Sequence, residues 1–246
     1  MLKKLFLSAL VIIFALLSIA LYRTVTHTAS VDGIIAGEVI AIDEEKASQN
    51  LAASIRFKTI SYQDEEMFPY VEFNNFIKWA AATYPEFHQV MEIDQLEHSL
   101  LFKWQGSDSM LAPILFEGHH DVVPIIPGTE NLWQENPFAG VISNNRIWGR
   151  GALDDKSGVI GLMEAATYLI KNNFEPKRTI YFSFGHDEEV GGSGAALITE
   201  KLRQEGVQLS WSLGEGSFVN KGFFPGINKF IAPINVAEKG SANLMI

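Results

Sequence analysis

The first pattern along the chain is an unbroken apolar run. Leu5 to Leu21 contains no charged residue, and Lys3 and Lys4 stand just before it. Positive charge ahead of such a stretch marks a secretory signal or an uncleaved anchor, and the run sits at the lower edge of the length that spans a bilayer. Ser18-Ile19-Ala20 offers a small-x-small cleavage site. The two lysines favour the cytoplasm and export of the remainder, with Arg23 working against that bias. We read residues 1–23 as a signal anchor or signal peptide, anchor ahead of cleaved signal, and residues 24–38 as a linker. A buried core helix is the competing reading, and a terminal segment that is apolar all round argues against it.

Beyond the linker the periodicity changes. Ala47, Leu51, Ala52 and Ile55 recur at helical spacing between Glu44 and Phe57, and Phe73, Phe76, Ile77, Ala80, Ala81 and Tyr84 do so between Phe68 and Tyr84. Lys156–Asn172 and Gly194–Glu205 read as two further helices. Ser99–Trp104, Pro113–Glu117, Thr179–Phe184 and Leu209–Leu213 are short apolar strands. No repeat occurs at a fixed period. Strands alternating with helices of this length predict an α/β fold with helices on both faces of a sheet. Ligands in such folds bind beyond the carboxyl ends of the strands.

Composition narrows the function. At 47% apolar and 20% charged, the 246-residue chain is ordinary globular material, which excludes disordered and collagenous classes. Its formal charge is −10, so a basic nucleic-acid footprint is absent. Residues 1–29 carry three bases and no acid, so residues 30–246 hold 16 bases against 29 acids; that balance of −13 suits a site that concentrates divalent cations. The chain has no cysteine, which removes disulfide scaffolds, thiolate metal sites and cysteine nucleophiles. Such an exported chain is compatible with a bacterial periplasm.

The polar clusters fall at strand and turn ends. His119-His120-Asp121 follows one strand, His186-Asp187-Glu188-Glu189 a second and Gly214-Glu215-Gly216 a third, while Asp154-Asp155-Lys156 opens a helix. Converging carboxylates repel one another, and a multivalent cation is the simplest thing that makes their convergence favourable. Taken singly, His119 is more often structural and Glu188-Glu189 more often a solvated pair; four clusters in succession are another matter. In an extended segment residues i and i+2 share a face. Asp121 can therefore orient His119 and fix its tautomer, while His120 points away into a structural role. Adjacent Glu188 and Glu189 diverge, one to ligate and one to hold water. Asp154 and Asp155 carry the same ambiguity, which spacing leaves open. Lys156 reads as a structural partner for the acidic cluster, and Trp133, Phe138 and Trp148 as packing residues.

Rival motifs fail. Gly149-Arg150-Gly151 lacks the third glycine of a dinucleotide loop, and Gly191-Gly192-Ser193-Gly194 has no Gly-Lys-Ser/Thr. Ser193 sits where a nucleophile elbow would, yet Ala195 replaces its last glycine and no histidine comes after it to complete a triad.

Gly118-His119-His120-Asp121-Val122-Val123-Pro124, Gly149–Lys156 and His186-Asp187-Glu188-Glu189-Val190-Gly191-Gly192 together resemble the co-catalytic zinc exopeptidases, in particular the group of carboxypeptidase S, aminoacylases and secreted N-fatty-acyl-amino-acid hydrolases. The likeness covers residues 40–246. It implies a mixed, mostly parallel sheet of the phosphorylase/hydrolase-like zinc peptidase type. It also implies roles: His119 binding one metal, Asp154 bridging two and often followed by a cis peptide to Asp155, Glu189 ligating one metal and Glu215 the other. Glu188 would be the general base, with Asp121 beside it in the catalytic set. Two Zn²⁺ are implied, with Co²⁺ or Mn²⁺ as substitutes. Residues 39–232 would be the N-terminal part of the catalytic domain, and 233–246 the start of a lid and dimerisation domain, since Pro233–Gly240 resembles the strand that enters it.

The last histidine is His186, whereas the family carries further histidines near its C-terminus and on the lid. The expectation is therefore a C-terminally truncated chain, its fold incomplete and its lid absent. Two functions compete. The first is a metal-dependent hydrolase cleaving a peptide or N-acyl amide bond next to a free carboxylate, membrane-anchored or secreted, with a homodimer as the expectation for its complete form. The second is an inactive membrane-tethered metal-binding or interaction protein. A dipeptidase or desuccinylase of the same family differs mainly in lid contacts.

Overall fold

The computed structural model describes residues 2–26, 40–216 and 219–236. It divides into two units, Met1–Ala41 and Ile42–Ile246.

The first unit carries one helix, α1 (Leu2–Thr26), long and apolar enough to cross a membrane from Lys3 to Thr26. It continues through Thr24 and Thr26, where a linker is expected from sequence. There each threonine hydroxyl donates to the carbonyl four residues back, on Ala20 and Tyr22, which lets a polar residue extend a helix. Most of the expected linker, residues 27–38, lies outside the described residues.

The second unit is built on a five-stranded sheet. Its strands are β1 (Glu92–Leu96), β2 (Ser99–Trp104), β3 (Ile114–His119), β6 (Ile180–Gly185) and β7 (Trp211–Leu213), in the order β1-β2-β6-β3-β7. β6, β3 and β7 are parallel neighbours. β2 runs against β6, and β1 runs against β2, so all but β2 point the same way. The sheet is mixed and mostly parallel. Two small hairpins complete the strands: β4 (Val141–Ser143) with β5 (Arg146–Trp148), and β8 (Asn220–Lys221) with β9 (Phe230–Ile231).

Period-two alternation splits the core between two faces. Leu100, Phe102 and Trp104 of β2 and Phe182 and Phe184 of β6 join one cluster with Phe76 and Ala80 of α3 (Tyr70–Thr83), Phe87 of α4 (Pro85–Val90), and Val159, Ile160 and Met163 of α5 (Lys156–Lys171). The intervening Leu101, Tyr181 and Leu115 turn to the other face and meet Ile198 and Leu202 of α6 (Gly194–Gln204). Helices thus cover both faces. Phe102 is fully buried where α4 crosses β2, and its truncation to alanine should cost about 3–5 kcal/mol.

Carboxylates start the helices. Asp43 accepts from Lys46 N–H (3.0 Å) at α2 (Glu44–Ile55), and Asp155 accepts from Gly158 N–H (3.1 Å) at α5. Each satisfies an amide that the first turn leaves without a partner. Lys156 is structural, as the sequence reading has it, and feels the charges of Glu72 and Asp121, but its hydrogen bonds go to backbone rather than to the acidic cluster. A helical side chain leans toward its N-terminus, and this one enters the core, donating to the carbonyls of Ser54 (2.9 Å) and Phe57 (2.7 Å) at the end of α2. The last carbonyls of a helix have spare acceptor capacity; that of Ser54 also accepts from Phe57 N–H (3.3 Å), and the buried amine finds its acceptors there. Burial lowers its pKa to about 7.

Candidate active site

The parallel register pairs His119 with Gly185, so β3 ends beside the segment His186-Asp187-Glu188-Glu189. β7 ends next to β3 and delivers Gly214-Glu215-Gly216 to the same side. The sheet alone therefore brings three of the four polar clusters together. The fourth arrives on the turn ahead of α5, where the Asp154–Asp155 peptide is cis. Asp155 turns inward to cap α5, against Gly118, whose α-carbon leaves room: a β-carbon there would approach Asp155 Oδ2 to 2.8 Å. Asp154 turns outward to His119.

Asp121 is the buried hub. Its Oδ1 lies 3.2 Å from His119 Nδ1, and His119 Nδ1 is also 3.1 Å from the Asp121 carbonyl. The same carboxylate accepts from Ser61 Oγ (2.6 Å) and from the backbone N–H groups of Glu188 and Glu189 (3.2 Å each). One side chain thus sets the imidazole and the loop carrying both glutamates. Burial alone would raise its pKa, but the hydrogen bonds from His119 and Ser61 prevail and hold it below the usual carboxylate range. Nothing in the sequence around Ser61 points to this contact across sixty residues.

With Nδ1 held, His119 Nε2 faces outward to carboxylates: Asp154 Oδ1 at 3.0 Å, Glu215 Oε1 at 3.4 Å and Glu188 Oε2 at 3.9 Å. The three are 61%, 42% and 56% exposed, against 2% for His119. Burial pulls the His119 pKa down, yet Asp121, Glu215 and Glu188 together push it up to about 10. Burial and the neighbouring carboxylates push Glu215 up to about 7, despite the opposing charge of His119. This centre attracts positive charge strongly. Among the described residues, one group could hold a metal ion: His119, Asp154 and Glu215 offer ligand atoms within 4.8 Å of one another. An imidazole with carboxylates suits zinc, and cobalt or manganese equally.

Glu189 is not in that group. It is half-buried, and its pKa is raised first by burial and then by the charge of Asp154, so the two carboxylates sense each other. His120 lies on the other side of the strand, fully buried, stacked on Phe76 at 4.8 Å, with neither ring nitrogen bonded. His186 is also buried and hydrogen-bonds Ser99 Oγ through Nδ1 (2.7 Å). Asp187 replaces the absent Ser193 cap on α6, both of its oxygens accepting from Gly194 N–H. Ser193 itself donates to Glu97 (3.3 Å). Trp133 lies under Arg150, Phe138 under Lys58, and Trp148 donates to Ser143, all packing contacts. His119, Glu188 and Glu215 open onto a cavity of about 730 Å³ with an apolar side formed by Leu115, Ile198 and Leu202.

The chain is similar in sequence and fold to known proteins. Residues 115–236 match the model of peptidase family M20/M25/M40. The chain is 36% identical over 211 residues to a probable carboxypeptidase S-like protein of Dictyostelium discoideum (83% of this chain, 40% of the relative). It is 38% identical over 209 residues to the N-fatty-acyl-amino acid synthase/hydrolase of Mus musculus (83% and 41%). The fold matches human carnosine dipeptidase 1 with a TM-score of 0.58 at 20% identity, over 72% of this chain and 40% of that one.

What these matches define is a domain of the M20 peptidase class, with its fold. The chain belongs to peptidase family M20, alongside relatives named carboxypeptidase S and N-fatty-acyl-amino acid hydrolase. It spans about two fifths of the length of those relatives.

Proposed function

We propose that the protein is a metal-dependent amide hydrolase, cleaving a peptide or N-acyl amide bond next to a free carboxylate. The observation that carries this is the Nε2 of His119, fixed from behind by Asp121 and ringed in front by Asp154, Glu215 and Glu188. His119, Asp154, Glu189 and Glu215 would hold two divalent ions, zinc or in its place cobalt or manganese. When bound, such ions supply Lewis acidity toward the scissile carbonyl and the attacking water. Glu188, exposed to the cavity, takes the proton from that water and returns it to the leaving amine. Asp121 keeps the proton of His119 on Nδ1, leaving Nε2 free as a donor. Glu189, outside the compact group yet sensing Asp154, supports a second ion position. The names of the relatives support peptide and N-acyl amino acid substrates.

We read residues 39–232 as part of the catalytic domain and 233–246 as the entry to a lid and dimerisation domain; residues 237–246 lie outside those described. The helix Lys3–Thr26 supports tethering by an anchor, or export by a cleaved signal, with the catalytic part outside the cytoplasm and a periplasm as its compartment.

The test is Glu188→Ala in the intact protein, assayed for metal content and for hydrolysis of N-acyl amino acids. Metal retained with turnover lost supports the reading; unchanged turnover removes the general base. Metal bound by the unsubstituted protein with no turnover favours a metal-binding or interaction protein instead.

A further inference from the structure

The two carboxylate oxygens of Asp121 offer about four lone-pair directions, and four donors meet them. Oδ1 faces His119 Nδ1 and the N–H of Glu188, each at 3.2 Å. Oδ2 faces the N–H of Glu189 at 3.2 Å and Ser61 Oγ at 2.6 Å. Three of these donors belong to groups that the carboxylate itself places, the imidazole and the loop of the two glutamates. Ser61 comes from elsewhere in the scaffold, between α2 and α3 and sixty residues away in sequence. Its own position is fixed. Ile60 bridges Val122 as a parallel neighbour, with Ser61 N–H donating to Val122 O (3.2 Å) and Val122 N–H to Thr59 O (2.9 Å). Thr59 Oγ1 donates to the carbonyl of His120 (2.5 Å). Residues 59–61 thus lie laddered beside 120–122, where β3 has ended, and Thr59 and Ser61 are both buried. Two residues on, Gln63 Nε2 donates to the carbonyl of Val190 (3.0 Å), next to Glu189.

We propose that Ser61 is a positioning residue for the metal centre: its hydroxyl fixes the plane of the Asp121 carboxylate and, through it, His119 and the loop of Glu188 and Glu189. The terminal torsion of an aspartate is broad, so the rotamer leaves that plane open and hydrogen bonds must choose it. An O–H···O⁻ contact of 2.6 Å lies in the charge-assisted range and is the shortest of the four. The other three donors sit on the groups being positioned and give no independent reference. Without the hydroxyl, a buried carboxylate oxygen loses its strongest donor, and the plane can turn away from His119 Nδ1. The role presupposes the metal centre proposed above and gives it a support that reaches the ligands through one bond to the scaffold.

The test compares Ser61→Ala, Ser61→Thr and Thr59→Val with the unsubstituted full chain. Zinc affinity is read by equilibrium competition with a chromophoric chelator, and hydrogen exchange of the Glu188 and Glu189 amides by NMR in metal-free protein. Ser61→Ala should bind zinc about tenfold more weakly, the lower end of the range for a group behind a metal ligand. Its two amides should exchange about tenfold faster, because their shared acceptor loosens. Ser61→Thr keeps the hydroxyl and should restore both. Thr59→Val removes the neighbouring buried hydroxyl; it should lower the melting temperature and leave zinc affinity and both amides unchanged. Zinc affinity and amide exchange both unchanged in Ser61→Ala overturn the proposal. Losses in Thr59→Val equal to those in Ser61→Ala overturn it too, since packing of the segment and not the hydroxyl would then be the cause. If the unsubstituted chain binds no zinc, the metal reading fails by itself. Faster exchange at 188 and 189 confined to Ser61→Ala would still uphold the hold of Ser61 on the loop, and unchanged exchange would overturn it.

Discussion

The floor and the rim of the site are built differently. On the floor, Asp121, His120, Asp155 and Lys156 are buried, and all but His120 are bonded to named partners. On the rim, Asp154, Glu188 and Glu215 are each more than two-fifths exposed and crowd a single imidazole. The floor stores its stability in hydrogen bonds that need no ion. The rim is a set of like charges that a cation would relieve. Substitutions on the floor should therefore damage fold and metal affinity together, while substitutions on the rim should change function and leave the fold alone.

The sharpest break in that contrast is Glu188→Ala. Turnover should fall by about 10²–10⁴, the usual contribution of general acid–base catalysis, with the melting temperature unchanged; a melting shift as large as that of a core mutant would erase the distinction. Next is Asp121→Asn on the floor. It loses the charge that sets His119 and the acceptor for Glu188 and Glu189, so zinc affinity should drop about 10–100-fold, together with stability, in a titration and a melt on the same sample.

A smaller effect concerns His120. Burial pushes its pKa down to about 3 from 6.5. Between those values the unfolded chain binds a proton that the folded chain refuses, so stability rises with pH through the window and is lost as pH falls below 6.5. This residue should contribute a slope of up to about 1.4 kcal/mol per pH unit. Because Glu215 and Asp155, both raised by burial, titrate in the same window with the opposite sign, the difference between denaturant melts of the unsubstituted protein and of His120→Leu, taken from pH 4 to 7, should show that slope. The smallest effect is Glu215→Gln in metal-free protein. Stability should stay within about 0.5 kcal/mol, as for an exposed position, and any change should be toward greater stability as one repulsion disappears.

Much of the scaffold is legible along the chain, for reasons that differ by element. β2 and β6 alternate large apolar residues to both faces, so their runs read as buried strands almost residue for residue. α5 has a capping carboxylate and apolar positions Val159, Ile160, Met163 and Ala166 at helical spacing. β1 is not legible: Glu92-Ile93-Asp94-Gln95-Leu96 is a polar edge strand that owes its structure to pairing with β2. The β4–β5 hairpin does leave a signal, Asn144-Asn145, both at positive φ (52° and 57°), because asparagine tolerates the left-handed turn that such hairpins need.

At the site, the contact between His119 and Asp121 comes from a two-residue spacing in extended chain. The divergence of Asp154 from Asp155 does not, because it depends on which of them caps α5. Nor does the fate of Lys156: its acceptors, Ser54 and Phe57, lie about a hundred residues away in sequence.

The rim calls for a metal ion to complete it. The most direct measurement is anomalous scattering at the zinc edge from crystals of the chain grown with zinc. A peak is expected about 2.0–2.2 Å from His119 Nε2 and from carboxylate oxygens of Asp154 and Glu215. Zinc bound elsewhere, with this cluster left without a peak, would contradict it.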